Sequence, residues 1–139
     1  MPVTFQILPR RALVLFTYSG MVGFQESLDA IGACVRDPDY RASMRQLCDL
    51  SGVTGVERDF PALLKMQAKI VESLQPAEND LVVLFYAPGR AGQEMAQMAR
   101  KSWEGLNSVL VLTQDNEAKA LALLDLPERS LDALFKVQA

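Results

Sequence analysis

The run Leu81-Val82-Val83-Leu84-Phe85-Tyr86 constrains this chain more than any other segment. On a strand, successive side chains point to opposite faces, so a continuous apolar run needs cover on both. Such a strand belongs in the middle of a sheet, most often between parallel neighbours. Parallel neighbours in turn require long crossovers, and helices are the usual ones.

The sequence on either side supplies them. Val3 to Leu8 alternates apolar and polar, the period of a half-buried strand. Pro9-Arg10-Arg11 breaks it, and Ala12 to Tyr18 reads as a second strand; so short a link predicts an antiparallel hairpin. Ser19-Gly20 marks the end of that strand. Phe24, Leu28, Ile31 and Val35 then recur at helical spacing, up to a stop at Asp37-Pro38. Gly32 weakens this helix by about 1 kcal/mol relative to alanine and is assigned to close packing against the sheet.

Met44 to Leu50 is the third strand. Phe60, Leu63, Leu64, Ile70, Val71 and Leu74 mark a second helix, ended by Gln75-Pro76. Pro88-Gly89 and Gly92 bracket the turn into a third helix, with the stripe Met95, Met98, Ala99 and Trp103. Val109 to Leu112 is the fifth strand. Asp115-Asn116-Glu117 is a capped, acidic start for a helix through Leu121 and Leu124. Pro127 is placed at the start of a last short helix carrying Leu131, Leu134 and Phe135. The order β-β-α-β-α-β-α-β-α predicts one α/β domain over 1–139. Its mixed five-stranded sheet opens with a hairpin, continues as β-α repeats and is packed with helices.

The chemistry is narrowed mainly by what the chain lacks. It has no histidine, which removes the usual general base and every Ser-His or Cys-His arrangement. Neither Gly-x-Ser-x-Gly nor a phosphate-binding glycine loop ending in Lys-Ser/Thr occurs. Cys34 and Cys48 have no close-spaced ligand partners and read as small buried hydrophobes in a reducing compartment. No metal, no cofactor and no enzymatic activity are expected. The net charge is −3, from 14 basic and 17 acidic residues without a basic cluster, which argues against nucleic acid. The N-terminus lacks the pattern of a signal peptide, and no apolar run approaches the ~20 residues of a bilayer span. A cytoplasmic location is expected.

Two stretches stand out as surfaces. In Leu47-Cys48-Asp49-Leu50-Ser51-Gly52-Val53-Thr54, a strand ends on an acidic residue and turns through Ser-Gly, where open α/β sheets place binding surfaces. Asp49 and Ser51 can also simply tie down that turn. Glu57, Arg58 and Asp59 follow, just ahead of the second helix, whose N-terminus favours acidic groups. The second stretch is Gly89-Arg90-Ala91-Gly92, at the start of the third helix, where backbone N–H groups and Arg90 offer an anion site. Met95, Met98 and Trp103 can extend it as an apolar pocket, although their helical spacing favours core packing against the sheet.

The residues 47–54 resemble the strand-three turn of STAS domains, the fold of bacterial anti-sigma-factor antagonists. Tyr18-Ser19-Gly20, Asp37-Pro38, the stretch Ala87 to Trp103 and Asn116-Glu117-Ala118 fit the same pattern. The whole chain is similar to small bacterial STAS-like proteins related in fold to CRAL-TRIO lipid-binding domains. In antagonists of this family a serine at the start of the following helix is the phosphorylation switch. Here Glu57 keeps the acidic position, but Arg58 and Asp59 stand where the serines would be. The resemblance implies a non-enzymatic protein-interaction module without that switch, meeting a protein partner through Asp49, Ser51, Gly52, Glu57, Arg58 and Asp59. The rival is a carrier or sensor of a small ligand or lipid at 88–103, using Gly89, Arg90, Gly92, Met95 and Trp103. The methionine-rich helix also suits a homodimer interface.

Overall fold

In the computed structural model, which describes residues 2–41, 44–59, 61–65, 68–69, 81–102 and 109–137, the early alternation produces the expected hairpin. β1 (Val3–Leu8) and β2 (Leu13–Val22) pair antiparallel, with Val3 opposite Tyr18 and Leu8 opposite Leu13. Every later pairing is parallel. β2 pairs with β3 (Arg45–Val56), β3 with β4 (Leu81–Tyr86) and β4 with β5 (Val109–Gln114), giving the order β1-β2-β3-β4-β5. The apolar run 81–86 is thus paired in parallel along its whole length with β5 and from Val83 to Tyr86 with β3.

Each parallel crossover steps to the next strand in the same direction, and right-handed crossovers that all step one way lie on one face of the sheet. The helices follow this rule. α1 (Phe24–Val35), α2 (helical at 61–65 and again at 68–69) and α3 (Arg90–Ser102) cover one face. There Ile31, Cys34, Leu63, Ala96 and Ala99 share a core with Val14, Phe16, Cys48, Val83 and Phe85. The other face carries Leu13, Leu15, Leu47 and Leu84. It is covered by α4 (Glu117–Leu123) and α5 (Leu131–Phe135), with Leu121, Leu131 and Leu134 in the same cluster. β2 and β4 feed both cores by simple alternation.

Four boundaries or packing roles differ from the sequence reading. β2 does not end at Ser19-Gly20, and β3 does not turn at Ser51-Gly52; both strands run on, to Val22 and Val56. Between Thr17–Asp49 and Ser19–Gly52, β2 advances two residues while β3 advances three; between Gly20–Val53 and Met21–Gly55 the steps are one and two. The Ser-Gly punctuation therefore marks bulges rather than a turn. Gly20 sits at φ +69°, which any residue with a Cβ adopts at a cost. A Cβ on Gly52 would lie 3.2 Å from the Tyr18 carbonyl oxygen, so any larger residue would push the two strands apart by a few tenths of an ångström. The last helix starts at Leu131, capped by the Ser130 side chain accepting from the Ala133 N–H, and not at Pro127.

Gly32 does keep its helix unbroken, but it does not pack on the sheet. The nearest group to a Cβ there is the tip of Arg36, 3.3 Å away. A long, flexible side chain yields easily, so Gly32→Ala is expected to raise stability by about 0.5–1 kcal/mol. A rise in urea midpoint at constant slope checks this. Among the helical positions read from sequence, Phe60, Ile70, Val71, Leu74 and Trp103 lie outside the described residues, as does the Gln75-Pro76 stop.

Candidate functional site

All four parallel strands end at one edge of the sheet, and α1, α2, α3 and α4 begin there. In register, Asp49 lies between Thr17 and Tyr86, and Tyr86 lies beside Gln114. Beyond Asp49, β3 has no register partner on β4 and continues against β2 alone. Ser51 and Gly52 are exposed on this extension.

The acidic residues singled out in the sequence hold backbone in place. Asp49 Oδ1 accepts the Ser51 N–H at 3.0 Å and fixes the first bulge. Glu57 Oε2 accepts the Phe24 N–H at 2.9 Å, capping α1, whose own N-cap residue is Gly23 and supplies no side-chain acceptor. Asp59 Oδ1 accepts the Ala62 N–H at 3.2 Å and caps α2. Arg58 is left for something else. Its Nη2 lies 3.0 Å from Glu94 Oε2, and Arg90 Nε lies 3.7 Å from Glu94 Oε1. Pairs this exposed contribute little stability. Their importance is positional, because Glu94 joins the loop at 57–59 to the first turns of α3 in one charged row.

The residues read as a ligand site separate. Gly89 is in open space and Arg90 projects into solvent. Gly92 is buried where α3 meets β3, and a Cβ there would stand 2.9 Å from the Leu50 carbonyl oxygen. Met95 packs against the core beside Met98. Trp103 lies outside the described residues.

Electrostatics divide the edge. Tyr86, beside Asp49 in register, has its hydroxyl pushed up by partial burial and by the charges of Glu117, Asp49 and Asp115. The neighbourhood of Tyr86 is therefore acidic, whereas the Glu94 row carries two arginines. Neither cysteine is primed for chemistry: burial, with Asp37 nearby, lifts the Cys34 thiol to about 12, and burial with Asp49 pushes Cys48 up further. Among the described residues no group of three or more His, Cys, Asp or Glu could hold a metal ion, and no helix is long and apolar enough to cross a membrane.

One feature is invisible in the sequence. A partly open cavity of about 50 Å³ lies between the sheet and α1, α2 and α3, and Tyr18, Ser27, Gln46 and Cys48 are the polar residues described in its lining. Gln46 shares a face with Cys48 and Leu50, so strand alternation was a signal that pointed it inward.

Fold and site together define an open α/β sheet protein whose charged surface sits where the parallel strands end. Comparison with family models and with curated proteins gives no match. Among solved structures, the chain is similar to the anti-sigma factor antagonist SpoIIAA in its unphosphorylated form. That likeness spans 97% of this chain and 99% of the other, at a TM-score of 0.49 and 7% identity.

Proposed function

We propose that this chain is a non-enzymatic regulatory module that binds a protein partner at the edge formed by Asp49, Ser51, Gly52, Glu57, Arg58 and Asp59. The observation that carries the reading is the Arg58–Glu94–Arg90 row, which ties that loop to α3 and offers exposed guanidinium groups beside capped helix ends. The STAS-like pattern of residues 47–54 supports it. Arg58 and Asp59 replace the serines of that pattern, so the module works without a serine phosphorylation switch. Reduced, buried thiols suit a cytoplasmic protein of the bacterial type that the resemblance implies. A second copy of the chain is one form the partner takes in this reading.

The test isolates Arg58, since Asp59 and Glu57 also hold helix ends. Arg58→Glu is expected to weaken a partner captured from the native cell extract and cross-linked at this edge by at least about tenfold. Arg10→Glu, in the hairpin turn at the opposite end of β2, is expected to leave binding intact. Equal retention of the partner by all three proteins removes the surface assignment.

A carrier reading is favoured by one observation: Met95 and Met98 line the cavity between the sheet and the helices. A molecule bound there would co-purify with the Arg58→Glu protein as readily as with the parent.

A further inference from the structure

Gln46, on the wall of the cavity between the sheet and α1, α2 and α3, carries an unanswered donor. Gln46 is 3% exposed, and its Nε2 has no hydrogen-bond partner among the described residues. A buried amide donor is nearly always paired, with protein or with an ordered molecule. The Tyr18 hydroxyl, buried on the same wall, has the Ser27 side chain beside it as a partner. The Gln46 amide on that wall has no such partner among the described residues.

Charge and size narrow the guest. None of the residues described around the cavity is a carboxylate, lysine or arginine. Burial keeps the Tyr18 hydroxyl and the Cys48 thiol protonated. An ion would therefore enter without a counter-charge, at prohibitive cost. A water needs about 10–15 Å³ of such space, so the cavity admits more than one water or a single molecule of a few heavy atoms. The rest of the wall is apolar, with Ile31, Val83 and Met98 among it.

We propose that this cavity is a binding site for a small uncharged molecule that presents a neutral oxygen acceptor to Gln46 Nε2. Water and a short-chain alcohol or ketone share that chemistry. The site is independent of the partner surface, and its failure would leave that reading untouched.

Nuclear magnetic resonance on the intact chain tests it, with water and 2-propanol as the probes. Methyl protons do not exchange with solvent, so magnetisation passing from water to the Ile31, Val83 and Met98 methyls reports water held inside. Such transfer, lost in Gln46→Leu, is the result expected for water. If 2-propanol causes saturable shifts of the same methyls and abolishes the water transfer, the site takes an organic guest. Gln46→Met serves as the second variant should Gln46→Leu not fold. Absence of both signals in the parent chain, or their persistence in a folded variant, overturns the proposal.

Discussion

A chain ending at Asp115 is expected to lose its cooperative urea transition and to expose an apolar face. The reason lies in the crossover geometry. Because the helices between parallel strands all cover one face, the opposite face depends on α4 and α5. Leu13, Leu15, Leu47 and Leu84 are each at most 2% exposed beneath them. Burying a leucine contributes about 1.5–3 kcal/mol, so the four together stand near 6–12 kcal/mol. The whole stability of a domain is about 5–15 kcal/mol. Polar contacts locate the segment as well. Arg11 Nη2 meets Glu128 Oε1 at 2.6 Å, Arg45 donates to the Leu124 carbonyl, and Glu117 accepts the Leu131 N–H. Burial alone would raise the Glu128 carboxyl; the bond and charge of Arg11 and its own backbone hold it below the usual range instead.

The single-residue version separates packing from truncation. Leu84→Ala is expected to cost about 2–5 kcal/mol, since a cavity opens in a strand fixed on both sides. Leu110→Ala, on edge strand β5 at 50% exposure, should stay within about 0.5 kcal/mol. A sharp transition at an unchanged midpoint in the shortened chain would mean that something else covers the leucine face.

What the sequence made legible follows the strength of the local signal. The run 81–86 announced a central parallel strand because no other placement buries both of its faces. Asn116 announced α4 because its side chain accepts the Lys119 N–H, an interaction wholly local in sequence. Ser51-Gly52 misled because glycine beside serine looks the same in a turn and in a bulge. The difference lies in Tyr18 and Ser19, more than thirty residues away, whose backbone the glycine lets close. The charged row was illegible for the same reason. Arg58 and Glu94 are 36 positions apart, and only the shared edge of the sheet brings them within 3.0 Å. Glu57 was legible as a helix-capping acid, but the helix it caps is α1, the one before it, rather than α2.

Gly92→Ala is expected to destabilise the protein by about 1–3 kcal/mol, although alanine is the better helix former. In an exposed helix the exchange would gain up to about 1 kcal/mol. Here the new Cβ would stand 2.9 Å from the Leu50 carbonyl oxygen and 3.0 Å from its Cβ. The obstacle is strand backbone and a fully buried residue, neither of which can swing aside. Leu50 is also where β3 has just passed its last register partner on β4, and the first turn of α3 presses into the space beside it. Relief therefore comes by lifting α3, which carries Arg90 and Glu94 with it. Gly89→Ala is the matched control: nothing lies within 4 Å of a Cβ there, and its φ is not in the left-handed region. Urea denaturation should thus separate two glycines three residues apart, and partner binding should weaken with Gly92→Ala and not with Gly89→Ala. Loss of stability with binding intact would place the partner away from α3; loss of both would make the close approach of α3 to β3 what sets the charged row in position.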